Sequence, residues 1–464
     1  MAIVEEVADD ETDVPQGEEN PLVAASKVEE LAARLTPPNE LLPQFLNEAK
    51  PEESLQIYRS TSERILETLK ANLVSPEFAS LPLETQSSII LPVLRLSQPS
   101  PYTSPDILTA VSGITSSLPS ASDVAVYILS NVLKPLFRPS AHPMLNPSTS
   151  RALSRPAGGQ QAFSDFSESS TQIFKSPQGW ACDHVLAWCC DQLDPGQVER
   201  HIGLILPPSL VMMDDWEPPW RGRGITVLSK WVEKIDTVVL KRMGLDKLLL
   251  DSLIHTLSLH PNPPLPQALP AALSLIERTM SGQAMADRLA EIMDKAVLQG
   301  WMYAPSGNDG RAVLIHIAGM AETLCGVFGI GIARWLKTII PNLLDPLQYT
   351  PTTAVLPHHQ ANLSALLCTM KTLRGTERIA RWRGKILDVL SRLWLNLADR
   401  GSLLPESSWH TETEAEEPIK QVRILVVAVI KELADQCPSV KKNEFQTLLD
   451  LDKTVFATLI PAQP

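Results

Sequence analysis

Asp214, Asp215 and Glu217 place three carboxylates within four residues. Gathered on one loop, such oxygens are the donors a hard cation takes, but calcium wants about six to eight of them. Here Pro218 and Pro219 follow at once, and no further acid joins the group. The pattern favours a helix start instead, with Asp215 capping the helix and pairing with Arg221 or its equivalent in the next repeat. Cys182, His184, Cys189, Cys190 and His201 supply thiols and imidazoles within twenty residues. Structural zinc needs four converging donors, usually carried on turns. These cysteines sit in the periodic segment WACDHVLAWCCDQL, where Cys182, Val185, Ala187 and Cys189 read as a core face. Gly326, Gly329 and Gly331 (GVFGIGIAR) are spaced like the start of a dinucleotide loop. Arg334 stands where a third glycine is required, and no strand precedes. A tight corner between helices is expected there. His358 and His359 follow Pro357 as an isolated pair and read as a polar loop. Phosphate-loop, GxSxG and HExxH patterns are absent, so no catalytic, cofactor or metal site is expected.

Lys371, Arg374, Arg378, Arg381, Arg383, Lys385 and Arg392 form a basic run interrupted only by Glu377 and Asp388. It reads as a solvated helix face, an interface for an acidic protein partner, or a surface that meets phosphates. It carries few exposed aromatics, so stacking on bases is unsupported.

The elements that must carry these residues are helical. The chain has 464 residues and is 44% hydrophobic but only 5% aromatic, which suits helix-on-helix packing. Its 39 prolines fall mostly between or at the starts of apolar periodic segments. No alternating runs joined by Asn-Gly or Gly-Gly turns suggest hairpins. The run Ile424–Ile430 extends on both flanks as a helix. The net charge is −13, and residues 1–20 hold eight acids with no Lys or Arg. This predicts a disordered acidic tail and argues against nucleic-acid binding. Those acids occupy the place of a secretory leader's positive region, and no apolar run reaches 18 residues, so neither leader nor membrane span is expected. The cysteines show no framework spacing, which suits a reducing compartment.

The expected organisation is an acidic tail at 1–20, a helical region at 21–138, a Ser/Pro-rich stretch at 139–177 that is either a functional loop or a disordered linker, and a HEAT-like helical array at 178–464. The cleanest helix is predicted at 376–400, where Ile379, Trp382, Ile386, Val389, Leu390, Leu393 and Leu397 step by three or four.

The stretch Leu204–Ile235 carries the most information. Leu206, Leu210 and Met213 mark one helix. Trp220, Ile225, Leu228, Trp231, Val232 and Ile235 mark a second, and the acidic turn joins them. Pro207, Asp215, Trp220, Arg221 and Gly224 have the spacing of a HEAT repeat, so an all-α, HEAT-like solenoid of antiparallel helix pairs is expected. The segment ILPPSLVMMDDWEPPWRGRGITVLSKWVEKI resembles the signature of the Tel-two-interacting protein two family, in a form similar to fungal members. The match rests on Pro207, Pro208, Asp214, Asp215, Glu217, Arg221 and Gly224. The resemblance implies a non-enzymatic scaffold subunit of the TTT complex, with Tel-two and Tel-two-interacting protein one as partners. It further implies work with the Hsp-ninety chaperone system on phosphatidylinositol-3-kinase-related kinases, in cytoplasm and nucleus. Trp216, Trp220 and Arg223 are the expected interface anchors. The alternatives are another HEAT adaptor, for transport or as a phosphatase scaffold, and an enzyme with a motif-free site.

Overall fold

The computed structural model describes residues 21–42, 51–73, 75–137, 142–157, 172–305, 307–398 and 417–460. The expected acidic tail at 1–20 lies outside them. Among the described residues the chain is all-α, with only an isolated bridge between Leu145 and Ala152. The chain divides into two compact units. One comprises Met1–Ala141, Ser169–Pro208 and Lys230–Ile235. The other comprises His142–Glu168, Ser209–Ser229 and Asp236–Pro464.

In the first unit the helix Glu52–Leu73 shows how sequence becomes packing. Leu55, Tyr58, Ser62, Ile65, Leu66, Leu69 and Leu73 step by three or four and are all buried. Glu52 and Glu53 open it and Lys70 closes it, complementing the helix dipole. It packs on Pro105–Ser116, which starts where Ser104 Oγ accepts the Ile107 N–H at 3.1 Å. Leu83–Leu94 and Ala121–Ile128 both pack against Cys182–Gln192. The sequence assigns that last helix to a separate array. In the structure it is the centre of the unit that holds the N-terminal helices.

In the second unit helices pack on their next or next-but-one helix in sequence, the short-range contact order of stacked helix pairs. Leu245–Ser258 packs on Ala268–Thr279, Asn308–Phe328 on Leu356–Thr372, and Leu356–Thr372 on Glu417–Gln436. Val422, Val426, Val429 and Ile430 are fully buried in this last helix, so the apolar run at 424–430 is core helix.

Three expectations change. The helix predicted from 376 begins as a 3₁₀ turn at Ile379–Trp382 and becomes α-helical at Arg383–Ala398. Gly375 and Glu377 take positive φ, +81° and +57°, which breaks the path before it. Part of the stretch read as a linker is packed. His142 is buried, and Ala152 N–H donates to Met243 O at 3.1 Å. Finally, residues 310–348 are long and apolar enough, by length and composition, to cross a membrane, because a 3₁₀ turn at Gly329–Trp335 carries helical geometry through the glycines. The run is bent at Gly329, φ +53°, and its two arms, Asn308–Phe328 and Leu336–Leu344, both pack on Leu356–Thr372. Ile317, Leu324, Ile339, Ile340 and Leu343 on these arms are fully buried, so this face belongs to the core.

Candidate functional site: the acidic turn

Helices Ile202–Met213 and Pro218–Trp231 flank the acidic turn as the sequence predicts. Pro218 and Pro219 occupy the first turn of the second helix, where their missing N–H groups lose no helical bond. Pro207 and Pro208 lie inside the first helix. Leu206, Leu210 and Met213 are 0% exposed, and Trp220, Ile225, Leu228, Trp231, Val232 and Ile235 are all buried.

The turn itself is held by polar bonds. Asp215 is 1% exposed, and its Oδ1 accepts the Glu217 N–H at 2.9 Å, bending the chain into the second helix. Arg221 Nε reaches back and donates to the Asp215 main-chain carbonyl. Burial pushes the Arg221 pKa below its ordinary value, while Asp214 and Asp215 pull it the other way. Asp214 is the hub. Its Oδ2 accepts from His142 Nε2 at 2.7 Å and its Oδ1 from Ser252 Oγ at 2.5 Å. His142 Nδ1 in turn accepts the Met144 N–H at 3.2 Å, so Nε2 carries the proton. The chain 142–144, the turn and the helix Leu245–Ser258 thus converge on one carboxylate.

Gly224 fixes how closely the two helices cross. A Cβ there would lie 2.5 Å from Met213 N and 2.9 Å from Met212 C, closer than any side chain permits. At Gly222 the neighbours are side-chain ends, Gln267 Nε2 at 2.7 Å and Leu265 Cδ2 at 3.1 Å, which can move.

Serine, histidine and aspartate meet here, but the order is wrong for nucleophile activation. A triad needs histidine between the other two, taking the serine proton. Here aspartate is central, and both ends of the imidazole are occupied. The arrangement builds a rigid corner. Of the expected anchors, Trp220 is core at 4% exposure, with the half-buried Arg223 guanidinium 4.9 Å from its ring centroid. Trp216 is 54% exposed. Sequence reasoning missed His142, which lies in an aperiodic stretch, and Ser252, which sits in an apolar helix. Neither carries a local signal, because each matters only through a contact distant in sequence.

The other candidate groups resolve structurally. Cys182 through Cys190 are buried on every side of their helix, more than the expected face, and burial raises the Cys189 and Cys190 pKa values. His184 Nδ1 donates to Arg95 O at 2.7 Å. Among the described residues no three His, Cys, Asp or Glu side chains gather as a metal site. His358 and His359 lie in the first turn of a helix and are buried at 4% and 0% exposure, where a polar loop was expected.

No curated protein matches the chain. Among solved structures it is similar to the crystal structure of Kap121p bound to Pho4p, at 12% identity and a TM-score of 0.43. That alignment covers 90% of this chain and 42% of the other, so this chain spans less than half of that one's length. The Tti2 family model matches residues 89–354, more than half of the sequence. The match takes in the whole acidic turn from Pro207 to Gly224, together with His142 and Ser252 which hold it. The chain therefore belongs to the Tti2 family.

Proposed function

We propose that this chain is a non-enzymatic scaffold that joins Tel-two and Tel-two-interacting protein one type solenoids in the TTT complex. With the Hsp-ninety chaperone system it supports the maturation and stability of phosphatidylinositol-3-kinase-related kinases, including the target-of-rapamycin and DNA-damage checkpoint kinases. It does so in cytoplasm and nucleus, without contacting nucleic acid or membrane. The observation that carries this reading is the family match over residues 89–354. The acidic turn supports it chemically, since its polar groups bond to one another and hold a corner rigid. A rigid helix-pair array offers long surfaces to partners without chemistry of its own.

The test is acute depletion in cells. Several of these kinases should fall together in protein amount, with their messenger RNA unchanged. Affinity purification should recover the two partner solenoids. Unchanged levels of all the kinases after depletion would reject the kinase role while leaving the family assignment intact.

A further inference from the structure

The basic run 371–392 separates into two populations. Arg383 pairs with Glu444 at 3.0 Å, Lys385 with Asp345 at 3.0 Å, and Arg392 with Asp388 at 2.9 Å. These three are neutralised within the chain, and the first two tie the helix Arg383–Ala398 to other elements. The other four, Lys371, Arg374, Arg378 and Arg381, crowd the corner that leads from Leu356–Thr372 into that helix. All four are exposed.

Arg374 is held in place. Its Nε and Nη2 donate to the two oxygens of Glu432 at 3.0 and 2.5 Å, while its side chain stays 62% exposed. Glu432 is buried, also accepts from Gln436 Nε2 at 2.7 Å, and is close enough to feel the charge of Lys371. Lys371, Arg378 and Arg381 make no ion pair with any described residue. Glu377 lies on the corner, and Asp435, itself paired with Lys441 at 3.5 Å, is close enough to act on Arg374, so four cations face three carboxylates, one of them buried. The backbone adds donors. Gly375 and Glu377 are exposed, both have positive φ, and their main-chain N–H groups donate to no described residue. Unpaired main-chain donors beside exposed cations favour an anion.

Two classes of anion could use such a corner. Nucleic acid is disfavoured. Trp382, the sole aromatic in the run, is only half-exposed, so base stacking lacks a platform. A net charge of −13 also repels a long polyanion. A short acidic peptide needs neither. We propose that the 371–381 corner is a docking surface for a glutamate- or aspartate-rich segment of a protein partner, whose carboxylates sit among Lys371, Arg378 and Arg381. The corner lies outside the matched family region, so this reading stands apart from the proposed function.

The test uses the purified full chain and fluorescently labelled peptides of one length: one rich in glutamate, one rich in phosphoserine, and one with glutamine at the same positions. Anisotropy should show binding of the glutamate peptide and none of the glutamine peptide. Binding should weaken as salt rises from about 50 to about 200 mM. Binding of the phosphoserine peptide without binding of the glutamate peptide would overturn the assignment to carboxylates. The double reversal Arg378→Glu/Arg381→Glu should weaken binding about tenfold or more, a change of about 1.4 kcal/mol. Arg392→Glu, a charge reversal at a residue already paired within its own helix, should leave it unchanged. Arg374 is spared because its removal would strand a buried carboxylate. Circular dichroism confirms that each variant is folded. Equal binding of the glutamine peptide, indifference to the double reversal, or tighter binding of single-stranded RNA than of either acidic peptide would overturn the proposal.

Discussion

Gly224 and Asp214 do different work at the same turn, and their substitutions separate the two. At Gly224 the obstacle to a side chain is main chain, Met213 N and Met212 C, which cannot swing away. Gly224→Ala should push the helices apart and cost about 1–3 kcal/mol, the range for overpacking a tight contact. Asp214→Ala removes the acceptor for His142 and Ser252 and leaves two buried donors unpaired, a loss of about 1–3 kcal/mol. Asp215→Ala removes the acceptor for the Glu217 N–H and should cost about 1 kcal/mol, as loss of a cap does. Trp216→Ala, at an exposed side chain, should stay within about 0.5 kcal/mol. Urea unfolding of the four variants measures all of this. If Trp216→Ala proved as costly as Gly224→Ala, the account of the turn as an internally held corner would fail. The acidic residues were legible in the sequence because helix starts have a local grammar of Asp, Glu and Pro. Their partners were not, since His142 and Ser252 approach only once the chain has folded.

At the scale of elements, the apolar corner at 326–331 and the helix start at His358 give tests of opposite kinds. Gly326 lies inside the helix Asn308–Phe328 with nothing within 4 Å of a Cβ. Gly326→Ala should therefore stabilise by about 0.4–1 kcal/mol through reduced chain entropy. Gly329 also has open space, but its φ is +53°. Gly329→Ala should destabilise by about 1–3 kcal/mol, because its φ of +53° with ψ of −135° lies in a region that little but glycine populates. Thermal melts showing the same sign for both would refute the assignment of the bend to Gly329. In the helix Leu356–Thr372, burial pushes the His358 and His359 pKa values down to about 4. In the unfolded chain histidine titrates near about 6.5. Between these values the unfolded state binds more protons, so stability is full above about pH 6.5 and is lost as the pH falls towards 4. At pH 5.5 the loss should be on the order of 1 kcal/mol per histidine. His359→Gln keeps a donor for Pro346 O but cannot titrate, and should flatten the fall in urea midpoint between pH 7 and 5. An unchanged pH slope in that variant would show that His359 is not buried as described. Sequence reading weighed these histidines, an isolated pair after Pro357, as a polar loop against a ligand site. Proline is equally at home in a loop and in a first helical turn, and only tertiary burial decides between those.

At the scale of the molecule, fold class was legible because three-to-four stepping is a local property that each helix declares for itself. The grouping of helices was not. Cys182–Gln192 belongs with Leu83–Leu94 and Ala121–Ile128 through contacts across some sixty to a hundred residues of sequence. No periodicity encodes such a choice. An array of this kind is stabilised by neighbour contacts, and a scaffold that works inside a complex leaves part of its surface to be covered by its partners. Ile57, Val238, Met302, Tyr303, Ile330 and Leu451 are each more than 60% exposed here. If the TTT reading is right, partner binding adds to folding stability by mass action, about 2.7 kcal/mol when the partner is present at about a hundred times its dissociation constant. The melting temperature of the purified chain should therefore rise with added Tel-two-interacting protein one type solenoid and depend on its concentration. In cells the chain should be shorter-lived when that partner is depleted, since the unfolded fraction grows as the complex dissociates. A melting temperature indifferent to a saturating partner, in a mixture shown by gel filtration to contain both chains in one complex, would mean that binding does not discriminate folded from unfolded chain. A chain that fails to co-migrate with that partner at all would remove the scaffold function itself.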